Sequence, residues 1–183
     1  MNEQIFRFLN TLAFENTFIG ETAVFLAQDF GVLLLVVAFI FFLFHKHGDN
    51  GHPETVQEKA LELVLIFGTI CLAWGINYLI KHGVSSPRPF LALENVHTLI
   101  VHGGYDSFPS GHTALFSALG ACVYYFHKRL GLAFMVAAIL VGIGRIAAGI
   151  HYPIDIFGGF IIGASVTYVV LRFAQHRIVA LKP

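Results

Sequence analysis

Apolar residues dominate this chain in five stretches, and the polar positions are gathered between them. Residues 31–44 are almost purely apolar, roughly 21 Å of helix at about 1.5 Å per residue. A hydrocarbon core is ~30 Å thick. The first span is therefore expected to begin earlier, near Thr22, with Gln28 and Asp29 near its polar end. Further spans are expected over residues 60–80, 110–127, 130–150 and 154–171. Ser110 is a good N-cap for the third, and Gly131, Gly142, Gly144 and Gly149 allow close helix contact in the fourth. Ahead of them, Ile5, Leu9 and Leu12 recur at helical spacing, widened by Phe8 and Ala13, with Glu3 and Arg7 elsewhere on the wheel. That pattern predicts a short interfacial helix within residues 1–20. Asn16-Thr17 or Glu21-Thr22 restarts a helix toward Phe25.

The connectors differ in kind. Residues 45–59 form a polar loop with Gly48, Gly51 and Pro53, and His127-Lys128-Arg129 makes a tight basic turn. The loop over residues 81–109 holds Pro87, Pro89, Gly103-Gly104 and Pro109. It is too long for a mere connector, so it is functional or disordered. Its Phe90, Leu91, Leu93, Leu99, Ile100 and Val101 argue against disorder. The expected fold is an all-α integral membrane protein: a single domain over 1–183, a bundle of about five to six transmembrane helices with a short interfacial helix in front.

Composition supports the membrane reading. The 183 residues are 56% hydrophobic and only 12% charged, against roughly 25% charged in soluble domains, and mean hydropathy is +0.73. Formal net charge is zero, which gives a nucleic-acid partner no support. Residues 1–15 lack a cleavable signal pattern. Cys71 and Cys122 lie in apolar runs and read as small buried hydrophobes. An odd number of spans puts loop 81–109 and His151 on one side. The other side carries Lys46, Lys59, Lys128, Arg129, Arg172, Arg177 and Lys182. By the positive-inside rule the first side faces away from the cytoplasm.

That side carries the candidate chemistry. Lys81 and Arg88 flank a proline-rich stretch; arginine offers a planar fork to phosphate and lysine a point charge. Pro109-Ser110-Gly111-His112 opens an apolar helix, so the Ser110 and Gly111 amides form an anion cradle at its N-terminus. Arg145 sits near the end of an apolar span, where an ionisable residue is functional by default. His151 precedes Asp155, which can fix its tautomer and stabilise its cation. Taken singly, each piece has an ordinary reading: headgroup-binding cations, a plain Ser N-cap, a snorkelling arginine, a loop histidine beside an N-cap Asp. Their convergence on one membrane face favours a phosphate site. The ten histidines raise the question of a metal, but His45, His47 and His52 lie on the opposite face. His97 and His102 share the long loop without completing a ligand set. No metal and no cofactor is expected.

Lys81-x6-Arg88-Pro89, Pro109-Ser110-Gly111-His112 and Arg145-x5-His151-x3-Asp155 resemble the three signature motifs of the type-2 phosphatidic acid phosphatase (PAP2) superfamily. Gly144 stands where the third motif usually has Ser, whose hydroxyl normally adds a phosphate contact. More narrowly, the small size, the Ile5-Phe6-x3-Asn10 start, Pro87-Arg-Pro-Phe90 and His97-Thr-Leu-Ile-x-His102 ahead of Ser107-Phe-Pro-Ser110 resemble the bacitracin-resistance type of undecaprenyl-diphosphate phosphatase. That branch often has Asp in place of Gly111. The resemblance implies metal-independent hydrolysis of a lipid phosphate through a phosphohistidine. His151 would be the nucleophile, Asp155 its orienter and His112 the proton donor. Lys81, Arg88, Ser110, Gly111 and Arg145 would hold the phosphate. It implies undecaprenyl diphosphate as substrate in a bacterial inner membrane, with the site on the periplasmic or extracellular side. Alternatives are phosphatidylglycerol phosphate, phosphatidate or a lipid A phosphate, or a lipid-phosphate carrier without chemistry. A binder, however, has no use for two imidazoles and an Asp at these spacings. The expected partners are the lipid substrate, polyprenyl or glycerol, and the surrounding membrane lipids.

Overall fold

The computed structural model describes residues 1–44, 55–101 and 103–181, with side chains through Gln175. Most of the expected polar loop, with His45, Lys46, His47, Gly48, Gly51, His52 and Pro53, lies outside the described residues. So do His102, Lys182 and the side chain of Arg177. Every described element is helical.

Helix α1 (Asn2–Glu15) buries Phe6, Asn10 and Ala13. Of the expected stripe, Ile5, Phe8 and Leu12 point outward, at 43%, 66% and 38% exposure, while Leu9 and Ala13 pack inward. Asn10 donates to the carbonyls of His97 (2.7 Å) and Ala147 (3.0 Å) and accepts from the His97 amide (3.1 Å). That side chain clamps α1 onto the long loop and the end of the fourth expected span, leaving Ile5, Phe8 and Leu12 for the surroundings.

Helix α2 (Thr17–Ala27) starts at the first of the two expected positions, where Asn16 accepts from the Ile19 amide. It is followed by α3 (Asp29–Phe44), the pair bent by 44° at Gln28. Gln28 and Asp29 thus mark a break inside the apolar stretch rather than its polar end. Arg145 fills the break: its Nη1 donates to the Ala27 carbonyl at 2.9 Å. A side chain inserted into the helical ladder is a standard origin of a kink, and a cation suits a helix C-terminus.

Helix α4 (Val56–Val84) begins four residues before the expected span. Thr55 and Glu58 form a reciprocal capping box there, a Thr-x-x-Glu signature legible in the sequence. After the single turn α5 (Pro89–Ala92), the chain enters α6 (Gly111–Phe126), α7 (Lys128–Ala147) and α8 (Pro153–Leu181). Helix α6 is the axis of the bundle and packs on α4, α7 and α8. Gly163 of α8 permits this approach, because a methyl there would collide with the Ser117 hydroxyl and the Ala114 carbonyl. The core around it includes Ile66, Leu119, Val123 and Val141, all essentially inaccessible.

Among the described residues, α4, α7 and α8 are long and apolar enough to cross a membrane, and the α2–α3 pair adds a fourth. The sequence expectation also counted residues 110–127. Helix α6 has only 16 residues, about 24 Å, less than a full hydrocarbon core. Helix α3 has the same length and runs between the same two levels. Gly31 and His112 share one pocket at the upper ends, and Phe41 and Phe42 pack on His127 at the lower ends.

Candidate active site

The end of α4, the loop behind it, the start of α6 and the end of α7 enclose a cavity of about 410 Å³. Its polar end is lined by Lys81, Arg88, Asp106, His112, Arg145 and His151, with Gly111 beside them. Its apolar side is formed by Val32 and Leu35 of α3, Trp74 of α4 and Leu115 and Phe116 of α6. Among the sequence-predicted site residues, Ser110 and Asp155 stand behind this surface and are fully buried.

His151 is 1% exposed and held at both ring nitrogens. Arg88 Nη1 lies 3.4 Å from Nε2, and Asp155 Oδ2 lies 3.3 Å from Nδ1. A guanidinium only donates, so Nε2 accepts from Arg88 and carries no proton, on a side chain that lines the pocket. The ring proton then sits on Nδ1, facing Asp155. This is the tautomer a nucleophilic imidazole needs. Asp155 Oδ2 also accepts from the Ser107 hydroxyl (2.5 Å) and the Tyr152 amide (2.8 Å). His112, in contrast, is exposed to the cavity.

Arg88 is completely buried and ties the pieces together. Its Nη1 donates to the Ile150 carbonyl at 2.9 Å, next to His151, and its Nε donates to Asp106 Oδ1 at 2.9 Å. Lys81 Nζ lies 3.6 Å from Asp106 Oδ2. Neither Asp106 nor Ser107 is among the site residues expected from the sequence. The signal was there, an Asp-Ser pair between Gly103-Gly104 and Pro109, but its partners are 18 to 48 residues away and no spacing reveals them. Ser107→Ala removes one of the three donors holding Asp155. Turnover is expected to fall about 10- to 100-fold, the effect of leaving a buried carboxylate one hydrogen bond short. Wild-type phosphate release from this variant would show that the hydroxyl does not hold Asp155.

Two details correct the sequence reading. The Ser110 amide, expected in the anion cradle, donates to the Asp155 carbonyl at 2.9 Å, and its hydroxyl accepts from Thr113 at 3.1 Å. The first turn of α8 docks on Ser110 and uses that amide, so Ser110 joins α6 to α8, while Gly111 stays on the cavity wall. Gly144 does not simply lack a phosphate contact. A Cβ there would sit 2.6 Å from Leu26 Cβ and 3.0 Å from the Ala23 carbonyl. Helix α2 occupies the space a side chain would take. Gly144→Ser is therefore expected to destabilise the fold by about 1–3 kcal/mol, as overpacking does, rather than to improve the site. Thermal unfolding in detergent measures this, and an unchanged or raised Tm would contradict the packing.

Among the described residues no group of three His, Cys, Asp or Glu side chains is placed to hold a metal ion.

The chain matches known proteins along most of its length. It is 32% identical over 163 residues to the bacitracin transport permease protein BcrC of Bacillus licheniformis, covering 89% of this chain and 75% of that one. It is 30% identical over 175 residues to the undecaprenyl-diphosphatase BcrC of Bacillus subtilis (strain 168), covering 96% and 85%. Its fold is similar to the crystal structure of Aquifex aeolicus LpxE, with a TM-score of 0.70 and 24% identity over 93% of this chain and 94% of that one. The model of the PAP2 superfamily matches residues 62–178, a stretch that contains all three motif pieces and every charged or histidine side chain of the cavity. By these matches the chain belongs to the PAP2 superfamily.

Proposed function

We propose that this protein is a membrane lipid phosphatase that hydrolyses undecaprenyl diphosphate to undecaprenyl phosphate and inorganic phosphate. The observation that carries the reading is His151, held between Arg88 and Asp155 on the wall of a cavity that also presents Lys81, Arg145 and His112. A carrier would use the cations and leave the His151–Asp155 pair without purpose. The apolar side of the cavity, with Val32 and Trp74 more than half exposed, gives a lipid chain a place beside the phosphate.

In the proposed reaction Nε2 of His151 attacks the terminal phosphorus as the bond to the bridging oxygen breaks. A phosphohistidine forms and the lipid phosphate departs. His112 supplies a proton to the leaving oxygen, then takes one from the water that attacks phosphorus, releasing inorganic phosphate and free His151. Asp155 stabilises the imidazolium. Lys81, Arg88, Arg145 and the Gly111 amide offset the charge on the equatorial oxygens, usually the largest single contribution to such a reaction. These cations already supply the charge that a metal would bring, so activity is expected to survive excess chelator. Phosphate release by purified protein, across polyprenyl diphosphates, phosphatidylglycerol phosphate, phosphatidate and a lipid A phosphate, tests the reading. The polyprenyl diphosphate is expected to be turned over fastest, and absence of phosphate release from every lipid would refute it.

The site is proposed to face the periplasm or cell exterior from the inner membrane. Lys59 lies beside the end of α3, where its Nζ donates to the Leu43 carbonyl. It shares that end with Lys128 and Arg129 of the α6–α7 turn, away from the cavity, as the positive-inside rule requires of a cytoplasmic face. In a protein with Cys71 and Cys122 replaced, Gly104→Cys should react with an impermeant thiol reagent added to intact cells. Lys128→Cys should not. The reverse pattern would overturn this orientation.

A further inference from the structure

The three cations of the cavity do not meet a ligand's phosphate as bare charges. Asp106 is already among them. Its Oδ1 accepts from Arg88 Nε at 2.9 Å, its Oδ2 lies 3.6 Å from Lys81 Nζ, and its backbone carbonyl accepts from Arg88 Nη2 at 3.4 Å. Unlike Arg88, which is inaccessible, the Asp106 side chain is 39% exposed and lines the cavity. It is carried by a loop pinned on both sides: the Arg88 amide donates to the Gly104 carbonyl and the Ser107 amide to the Ser86 carbonyl. The carboxylate is therefore held where two of the three cations face the pocket. A buried guanidinium and a nearly buried ammonium, at 1% and 13% side-chain exposure, are costly without a counter-charge.

We propose that Asp106 is a specificity-determining residue: a built-in counter-anion that a substrate's terminal phosphate must displace from Lys81, and in part from Arg88. The proposal rests on the phosphatase reading for the identity of the competing anion. Its consequence is selection by charge. A singly charged phosphodiester headgroup, abundant in any membrane, offers the cations no more charge than the carboxylate it would displace. A terminal phosphate carries about −1.5 to −2 at neutral pH and three acceptor oxygens, so it wins the exchange. After hydrolysis the returning carboxylate helps to expel inorganic phosphate from a site that would otherwise retain it.

Calorimetric binding of inorganic phosphate and of dimethyl phosphate, a fixed monoanion, to the purified full-length protein at pH 8 tests this. In the unmodified protein inorganic phosphate is expected to bind at least a hundredfold more tightly than dimethyl phosphate. Comparable affinities would overturn the proposal without any variant being made. Asp106→Asn keeps an acceptor for Arg88 Nε but removes the charge. It is expected to bind inorganic phosphate at least tenfold more tightly, to gain measurable dimethyl phosphate binding and to lower kcat through slow product release. Asp106→Glu should restore the wild-type ratio. Weaker or unchanged phosphate binding in Asp106→Asn would show that Asp106 merely orients Arg88, and failure of phosphate to bind either protein would likewise refute the counter-anion. The binding results do not bear on whether lipid phosphate is hydrolysed, which the turnover assay decides separately.

Discussion

His151→Ala is expected to abolish phosphate release from every lipid substrate, a loss on the order of 10⁶-fold, as when the nucleophile of a catalytic unit is removed. The size follows from the geometry. Nε2 of His151 combines a lone pair, burial, a fixed tautomer and a place beside Arg88 at the cavity. Asp155→Asn should cost about 10⁴-fold, since an amide cannot hold the Nδ1 proton and stabilise the imidazolium together. Loss of Asp155 acts through His151, so adding Asp155→Asn to His151→Ala should change nothing further. Residual turnover in His151→Ala within a hundredfold of wild type would place the nucleophile elsewhere.

The second large effect is expected at His112, and its size should depend on the leaving group. A phosphate monoester such as phosphatidate expels an alkoxide, which is strongly basic and needs a proton as the bond breaks. A diphosphate expels a lipid phosphate, whose second ionisation lies near pH 6, as for other phosphate esters, so it departs without that help. General acid catalysis is commonly worth about 10²–10⁴-fold. His112→Ala should show that full loss in the first step only with monoesters. With undecaprenyl diphosphate the first step should be largely spared, while hydrolysis of the phosphohistidine, which needs a base for water, slows. Equal defects in the first step on both substrate types would remove His112 from the role of leaving-group acid.

Much of this arrangement was legible in the sequence because it is local. Apolar run lengths gave the helices, Asn16 marked one start, and the short spacing of His151 and Asp155 suggested that they pair. What stayed hidden depends on contacts between distant segments. Asp106 and Ser107 acquire meaning only when the long loop folds back on Lys81, Arg88 and Asp155. The carbonyl freed at the bend by Gln28 is met by a guanidinium more than a hundred residues away. Gly144 read as a missing hydroxyl until the position of Ala23 and Leu26 showed that no side chain fits there. The clamp of Asn10 on the His97 and Ala147 carbonyls was hidden for the same reason. Hydrophobic periodicity indicates which face avoids water, but in a membrane that face can meet lipid as well as protein.

The central claim is that phosphorus passes through His151. It is tested most directly by rapid quench of the full-length protein with undecaprenyl diphosphate labelled in its terminal phosphate, followed by peptide mapping of the acid-labile label. The expected result is label on the peptide carrying His151, brief in the wild type, accumulating in His112→Ala and absent from His151→Ala. Phosphate released at the wild-type rate with no protein-bound label at any time, even in His112→Ala, would contradict it.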